Sequence, residues 1–224
     1  MLRAIVFDFD GVIANSEPLH YRAFRDVLAD WNVELSEAEY YQHYLGFDDL
    51  NVFRQLAGDR GLAWSAERIA ELVATKAVRM EDLESDGSIL FPGAETAVRR
   101  TAAAMPIAIA SGALRAEILR ILDRARLTSC FEFIIGAEDS PASKPAPDPY
   151  LRAVALLGQS IDGLQPAECV AIEDSPWGLQ SAQTAGLRTV AVAQTYDRAA
   201  LQADLVIASL DQLDLNALQR LCTD

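Results

Sequence analysis

Six short apolar, β-branched runs recur along the chain, at residues 4–7, 106–110, 131–135, 169–172, 189–192 and 205–207. Apart from Glu132 they are continuous, so each reads as a strand buried on both faces, the habit of parallel sheets. Between the later runs stand stretches with helical spacing, at 94–104, 116–125, 148–157 and 177–185. Strand–helix alternation of this kind predicts βαβ units and a doubly wound α/β domain. Right-handed crossovers then bring all strand carboxyl ends to one edge, where ligands usually bind.

Residues 15 to 83 break the alternation and contain no convincing strand. EPLHYRAFRDVLADW has helical spacing, and SEAEYYQHYL opens with the capping-box pair Ser36 and Glu39. AERIAELVATKAVRM is strongly amphipathic. The expectation is a small helical domain, residues 15–83, inserted into a core made of 1–14 and 84–224. Its hinges should lie at 14–17 and 85–93, the second marked by Asp86-Gly87 and Pro92-Gly93.

The first run ends in Asp8-Phe9-Asp10-Gly11. Strand alternation points both carboxylates to one side. At about 4 Å and an effective dielectric of ~20 they would repel by roughly 4 kcal/mol, so something must offset them. The second run ends in Ser111-Gly112, the third is followed by SKPAPDPY with Lys144, and the fourth ends in Glu173-Asp174. Parallel strands would gather four carboxylates, one ammonium, one hydroxyl and a glycine amide at one edge. Such carboxylates suit a hard divalent cation, and Mg²⁺ takes a few carboxylate or carbonyl oxygens together with phosphate and water. A phosphate would bridge the metal, Lys144, the Ser111 hydroxyl and the Gly112 N–H, donors that stabilise a transferring phosphoryl group.

Bulk composition narrows the partners. The chain has 224 residues, 51% hydrophobic and 23% charged, with a formal net charge of −14. That suits a globular chain and leaves no basic surface for nucleic acid or for anionic membranes. Three scattered cysteines, Cys130, Cys169 and Cys222, suggest a reduced compartment. No stretch has the build of a signal peptide or the length of a membrane span. The expectation is a cytoplasmic monomer acting on a small phosphorylated metabolite. Only two of the 19 basic residues are lysines, Lys76 and Lys144. An arginine-rich chain that keeps two lysines draws attention to both, since lysine is a compact point charge and arginine a broad fork.

DFDGV, SG, SKPAPDPY and IEDSPWG, in that order, resemble the four motifs of the haloacid dehalogenase superfamily, mostly Mg²⁺-dependent phosphatases. The resemblance implies a Rossmann-like core with a helical cap after the first motif. It implies Asp8 as nucleophile, and Asp10 as general acid/base that also gives a backbone carbonyl to Mg²⁺. Ser111 and Lys144 would hold the phosphoryl group, and Asp174, with Glu173, would complete the metal site. His20 matches a histidine important in the related β-phosphoglucomutases, with Ser16 as its small hydroxyl neighbour, and Lys76 is a second substrate-binding candidate in the cap. Each has a bland alternative: Asp174 could cap the helix begun at Pro176, and His20 could be an ordinary structural histidine. Gly178 reads as a close-packing glycine, and Trp177 as a packing or surface residue.

Among activities, a dehalogenase needs neither a metal nor a second acid two residues on, and a phosphonatase needs a cap lysine placed differently from Lys76. A hexose-phosphate mutase of β-phosphoglucomutase type is the serious rival to a phosphatase. It must bind a distal phosphate in the cap, where YLGFDDLNVF offers Asp48 and Asp49, with Arg54 the nearest cation. A catalytically idle binding protein would have lost a motif residue, and none is missing.

Overall fold

The computed structural model describes residues 1–45, 47–84 and 89–223. Six strands, β1 (Ala4–Phe7), β2 (Ile107–Ala110), β3 (Phe133–Ile135), β4 (Cys169–Glu173), β5 (Arg188–Val192) and β6 (Leu205–Ile207), form one sheet in the order β3-β2-β1-β4-β5-β6. Every pairing is parallel. The chain steps outward from β1 through β2 to β3, then returns to lay β4 on the other side of β1. The reversal leaves a crevice beyond the carboxyl ends of β1 and β4, the usual ligand position in such sheets.

Nine helices flank or follow these strands among the described residues: α1 (Glu17–Ala29), α2 (Glu37–His43), α3 (Asp49–Arg60), α4 (Ala66–Glu84), α5 (Ala94–Ala104), α6 (Arg115–Arg124), α7 (Asp148–Leu157), α8 (Pro176–Thr184) and α9 (Leu215–Leu221). The period of two in β1 builds two cores. Ile5 and Phe7 join Ile107, Ile109, Val170 and Ile172 on one face. Ala4 and Val6 join Ala108, Ala110 and Ala171 on the other. Four alanines on the second face let α7 approach closely, and its Tyr150 and Leu157 fill the space they leave.

Contacts divide the chain into two compact units, one of Met1–Asn15 with Ile89–Asp224, the other Ser16–Ser88. Residues 85–88, including Asp86-Gly87 of the expected second hinge, lie outside the described residues. The second unit holds α1 to α4 around Phe24, Leu28, Tyr40, Phe53, Leu56 and Leu72. Phe24 and Phe53 meet edge to face with ring centroids 5.1 Å apart, an arrangement worth about 0.5–1.5 kcal/mol beyond area burial.

The capping box is only half made. Ser36 Oγ accepts from the Glu39 N–H at 3.2 Å, but the Glu39 carboxylate accepts instead from Arg60 Nη2 at 2.6 and 2.8 Å. A cation from α3 outcompetes the backbone N–H of Ser36, since a charged donor makes the stronger bond. We therefore expect Ser36→Ala to cost about 1 kcal/mol. In double-mutant cycles read by urea denaturation, Glu39→Gln should couple to Arg60→Gln and not to Ser36→Ala. Coupling to Ser36 alone would restore the full capping box.

Candidate active site

The motif residues stand at strand ends of the first unit or in the loops that follow them. Asp8 follows β1, and its N–H continues the ladder to Ile172 O at 2.8 Å. Ser111 and Gly112 follow β2, Lys144 lies in the loop from β3 to α7, and Glu173 ends β4 with Asp174 next. Lys144 is the hub. Its Nζ donates to Asp8 Oδ1 at 2.8 Å, to Glu173 Oε1 at 2.6 Å and to Tyr150 Oη at 3.4 Å.

The three carboxylates Asp8, Glu173 and Asp174 each place an oxygen within 4.8 Å of the others, and all are buried. Burial raises the Asp8 pKa from the usual 3.8 to about 6; Lys144 pulls it down and Glu173 pushes it up. Asp174 is held well above the ordinary carboxylate range, first by burial, then by Glu173 and Asp8. Burial also disfavours the Lys144 charge, but Asp8 and Glu173 more than reverse that and lift its pKa. Three carboxylates against one ammonium leave a shortage of positive charge. Closely set, hard oxygen donors of this kind fit a divalent cation.

The three acids are not equivalent. Glu173 Oε1 accepts from Lys144 and from Tyr150 Oη at 2.8 Å. Its Oε2 accepts from the N–H groups of Asp174 and Ser175 and from Ser175 Oγ, at 3.1 to 3.2 Å. Five donors use the acceptor capacity of a carboxylate. Asp174 is not the helix cap. That role falls to Ser175, whose Oγ accepts from the Gly178 N–H at 3.0 Å ahead of Pro176.

Two glycines make room for these acids. Gly11 has φ +76°, and a Cβ there would stand 1.9 Å from Asp174 Oδ2. At Gly178 a Cβ would meet Glu173 Oε1 at 1.8 Å, so its close packing is against the site itself. Ser111, Gly112 and Lys144 line one small pocket, and Ser111 Oγ accepts from the Ala113 N–H at 3.1 Å. Asp10 lies in the turn after Asp8, half-buried and bridged to Ala14. Its carboxylate stands outside the triad of acids.

The family model of the haloacid dehalogenase-like hydrolases matches residues 5–192. The chain belongs to that family. Protein CbbY of Rhodobacter capsulatus is 32% identical over 212 residues, covering 88% of each chain. Hexitol phosphatase B of Escherichia coli strain K12 is 31% identical over 220 residues, covering 94% of this chain and 93% of the relative. The fold matches a crystal structure of β-phosphoglucomutase from Clostridium difficile with a TM-score of 0.85 at 22% identity, over 99% of this chain and 97% of that one. The chain is a phosphatase of the haloacid dehalogenase-like family. No helix among the described residues is long and apolar enough to cross a membrane.

His20 and Lys76, the candidates from the helical region, meet inside the second unit. Lys76 Nζ lies 2.6 Å from His20 Nδ1 and donates to Asp49 Oδ1 at 2.8 Å. It is only 2% exposed and stands 4.9 Å from the centroid of the Phe24 ring. Arg54 and Arg79 are exposed, as is Trp177. Two residues of this haloacid dehalogenase-like chain escaped the sequence reading: Tyr150, against Glu173 and Lys144, and Asp49 as the partner of Lys76. Tyr150 left a faint signal, an aromatic at the start of the helix after Lys144; Asp49 was visible only as an acid where a cation was wanted.

The raised Asp8 pKa fixes a sign. Ionised Asp8 is less favoured in the fold than in the unfolded chain, so its contribution is best below pH ~4 and is lost as pH rises through about 6. With metal chelated, Asp8→Asn should therefore melt higher than the unsubstituted chain at pH 7.5. The gain should fade as the pH falls toward ~4. A lower melting temperature for the variant at pH 7.5 would mean that the bond to Lys144 outweighs burial.

Proposed function

We propose that the chain hydrolyses a small phosphorylated metabolite with Mg²⁺, through an aspartyl-phosphate on Asp8. The observation that carries this reading is the buried set of Asp8, Lys144, Glu173 and Asp174 beyond the ends of β1 and β4. Asp8 and Asp174, with the backbone carbonyl of Asp10, would hold the cation, and Glu173, occupied by its five donors, would add negative charge beside them. When bound, the metal supplies positive charge to the phosphoryl oxygens.

The chain's own groups carry the steps. Lys144, Ser111 Oγ and the Gly112 N–H bind the phosphoryl oxygens and turn phosphorus toward Asp8. An Asp8 oxygen attacks phosphorus in line, the ester P–O bond breaks, and Asp10 gives its proton to the leaving alcohol. Asp10 then takes a proton from water, whose oxygen attacks the aspartyl-phosphate and frees phosphate and Asp8. Core and helical unit are read as catalytic domain and cap, with His20 and Lys76 as the substrate-binding candidates of the cap.

The substrate in this reading is a sugar or polyol monophosphate whose far end is uncharged. Support comes from the second unit, where the Lys76 ammonium is already neutralised by Asp49. A mutase would want that cation for a second phosphate, and a neighbouring carboxylate repels one. Hexitol phosphatase B points to the same substrate class by its name. A cytoplasmic monomer completes the reading.

The test is turnover of para-nitrophenyl phosphate, then a screen of sugar and polyol phosphates. Activity should need Mg²⁺ and vanish on chelation. Asp8→Asn should abolish it, and Asp10→Asn should cost at least the ~10²-fold typical of acid–base loss. Glucose-1-phosphate with a bisphosphate activator should yield free phosphate and no 6-phosphate. Turnover that survives chelation would rule out the metal role, and isomer formation would establish the mutase.

A further inference from the structure

We propose that Tyr150 is a positioning residue for Lys144, acting through Glu173; this rests on the phosphatase reading above. Tyr150 sits in the first turn of α7 and is fully buried. Its hydroxyl donates to Glu173 Oε1 at 2.8 Å, the same oxygen that receives Lys144 Nζ at 2.6 Å. Its ring lies 4.9 Å from Lys144 Nζ, centroid to nitrogen. One side chain thus touches both members of the ion pair behind the phosphoryl-binding group.

Sharing one acceptor has a direction. Glu173 and Asp8 compete for the same ammonium. A neutral O–H bonded to Glu173 Oε1 draws off part of that oxygen's charge and weakens its hold on Lys144. It also fixes where Oε1 stands, since Oε2 is already anchored by Ser175 and two backbone N–H groups. Without the hydroxyl, Glu173 would hold the ammonium more tightly, and less positive charge would face Asp8 and the phosphoryl group.

Tyr150→Phe keeps the ring and its packing, and a melting curve checks that it folds. The chain has only two lysines, so ¹⁵N-lysine labelling gives two ammonium signals, with Lys76 as internal control and Lys76→Arg as assignment. We expect Tyr150→Phe to move the Lys144 signal and leave that of Lys76 in place. It should lower kcat for para-nitrophenyl phosphate about tenfold, the scale of one hydrogen bond to a charged group, with a smaller change in KM. In a Glu173→Gln background the same substitution should change kcat less than about twofold, because coupled residues do not add. An unmoved Lys144 signal, an unchanged kcat, or an equal loss in both backgrounds would each overturn the proposal. If the unsubstituted chain turned over no phosphate ester at all, the phosphatase reading would fail, and the Lys144 signal would still decide the placement.

Discussion

The first unit depends on a balance of charge at one edge of its sheet. Asp8, Glu173 and Asp174 are buried together where β1 and β4 end, and one ammonium stands among them. Unpaired, such carboxylates would be costly to bury. Lys144 relieves Asp8 and Glu173, and five donors saturate Glu173, while burial still holds Asp8 and Asp174 reluctant to ionise. That residual strain is what a bound cation would relieve. A site that folds without full charge compensation binds the missing charge more strongly than one that is already neutral.

The backbone is shaped around that edge. β1 is pinned on both sides, Val6 opposite Ala108 and Ala171, so Asp8 has little freedom in where it emerges. The alanine face under α7 brings Tyr150 close enough to reach Glu173. Gly11 and Gly178 remove the methyl groups that would occupy the places of the Asp174 and Glu173 carboxylates. Packing and chemistry are therefore specified by the same residues, and a substitution at either glycine would disturb both.

Much of this was legible in the sequence, for reasons that also explain what was not. The strands could be read because nearly all are unbroken apolar runs, and the motif residues because each ends or follows one, Lys144 at a distance of nine residues. The order of the runs, with parallel pairing, sufficed to place Asp8, Ser111, Lys144 and Asp174 at one edge. Pairings that depend on side-chain reach across distant segments left no such mark. Tyr150 meets Glu173 across 23 residues, Asp49 meets Lys76 across 27, and Arg60 meets Glu39 across 21. Each involves a residue type common at helix starts or on helix surfaces, where a solvated role is the usual one. The capping box failed for the same reason: a local pattern was overridden by a non-local cation. Asp174 could be read as cap or ligand, and the Ser175 bond to Gly178 removes the cap reading.

The lysine scarcity acquires a structural meaning in this light. Lys76 and Lys144 are both buried or nearly so, and each is surrounded by acceptors and an aromatic ring. Lys144 reaches two carboxylates and a phenol within 3.4 Å, which a small tetrahedral ammonium can do by aiming its three protons in three directions. A planar guanidinium spreads its charge over a wide fork and favours one carboxylate edge-on. Arginine at this position would overfill the pocket and hold one acid at the expense of the other. The chain uses arginine where charge faces water and lysine where one charge must be divided among buried partners. Division, rather than pairing, is what the position of Lys144 between Asp8 and Glu173 imposes.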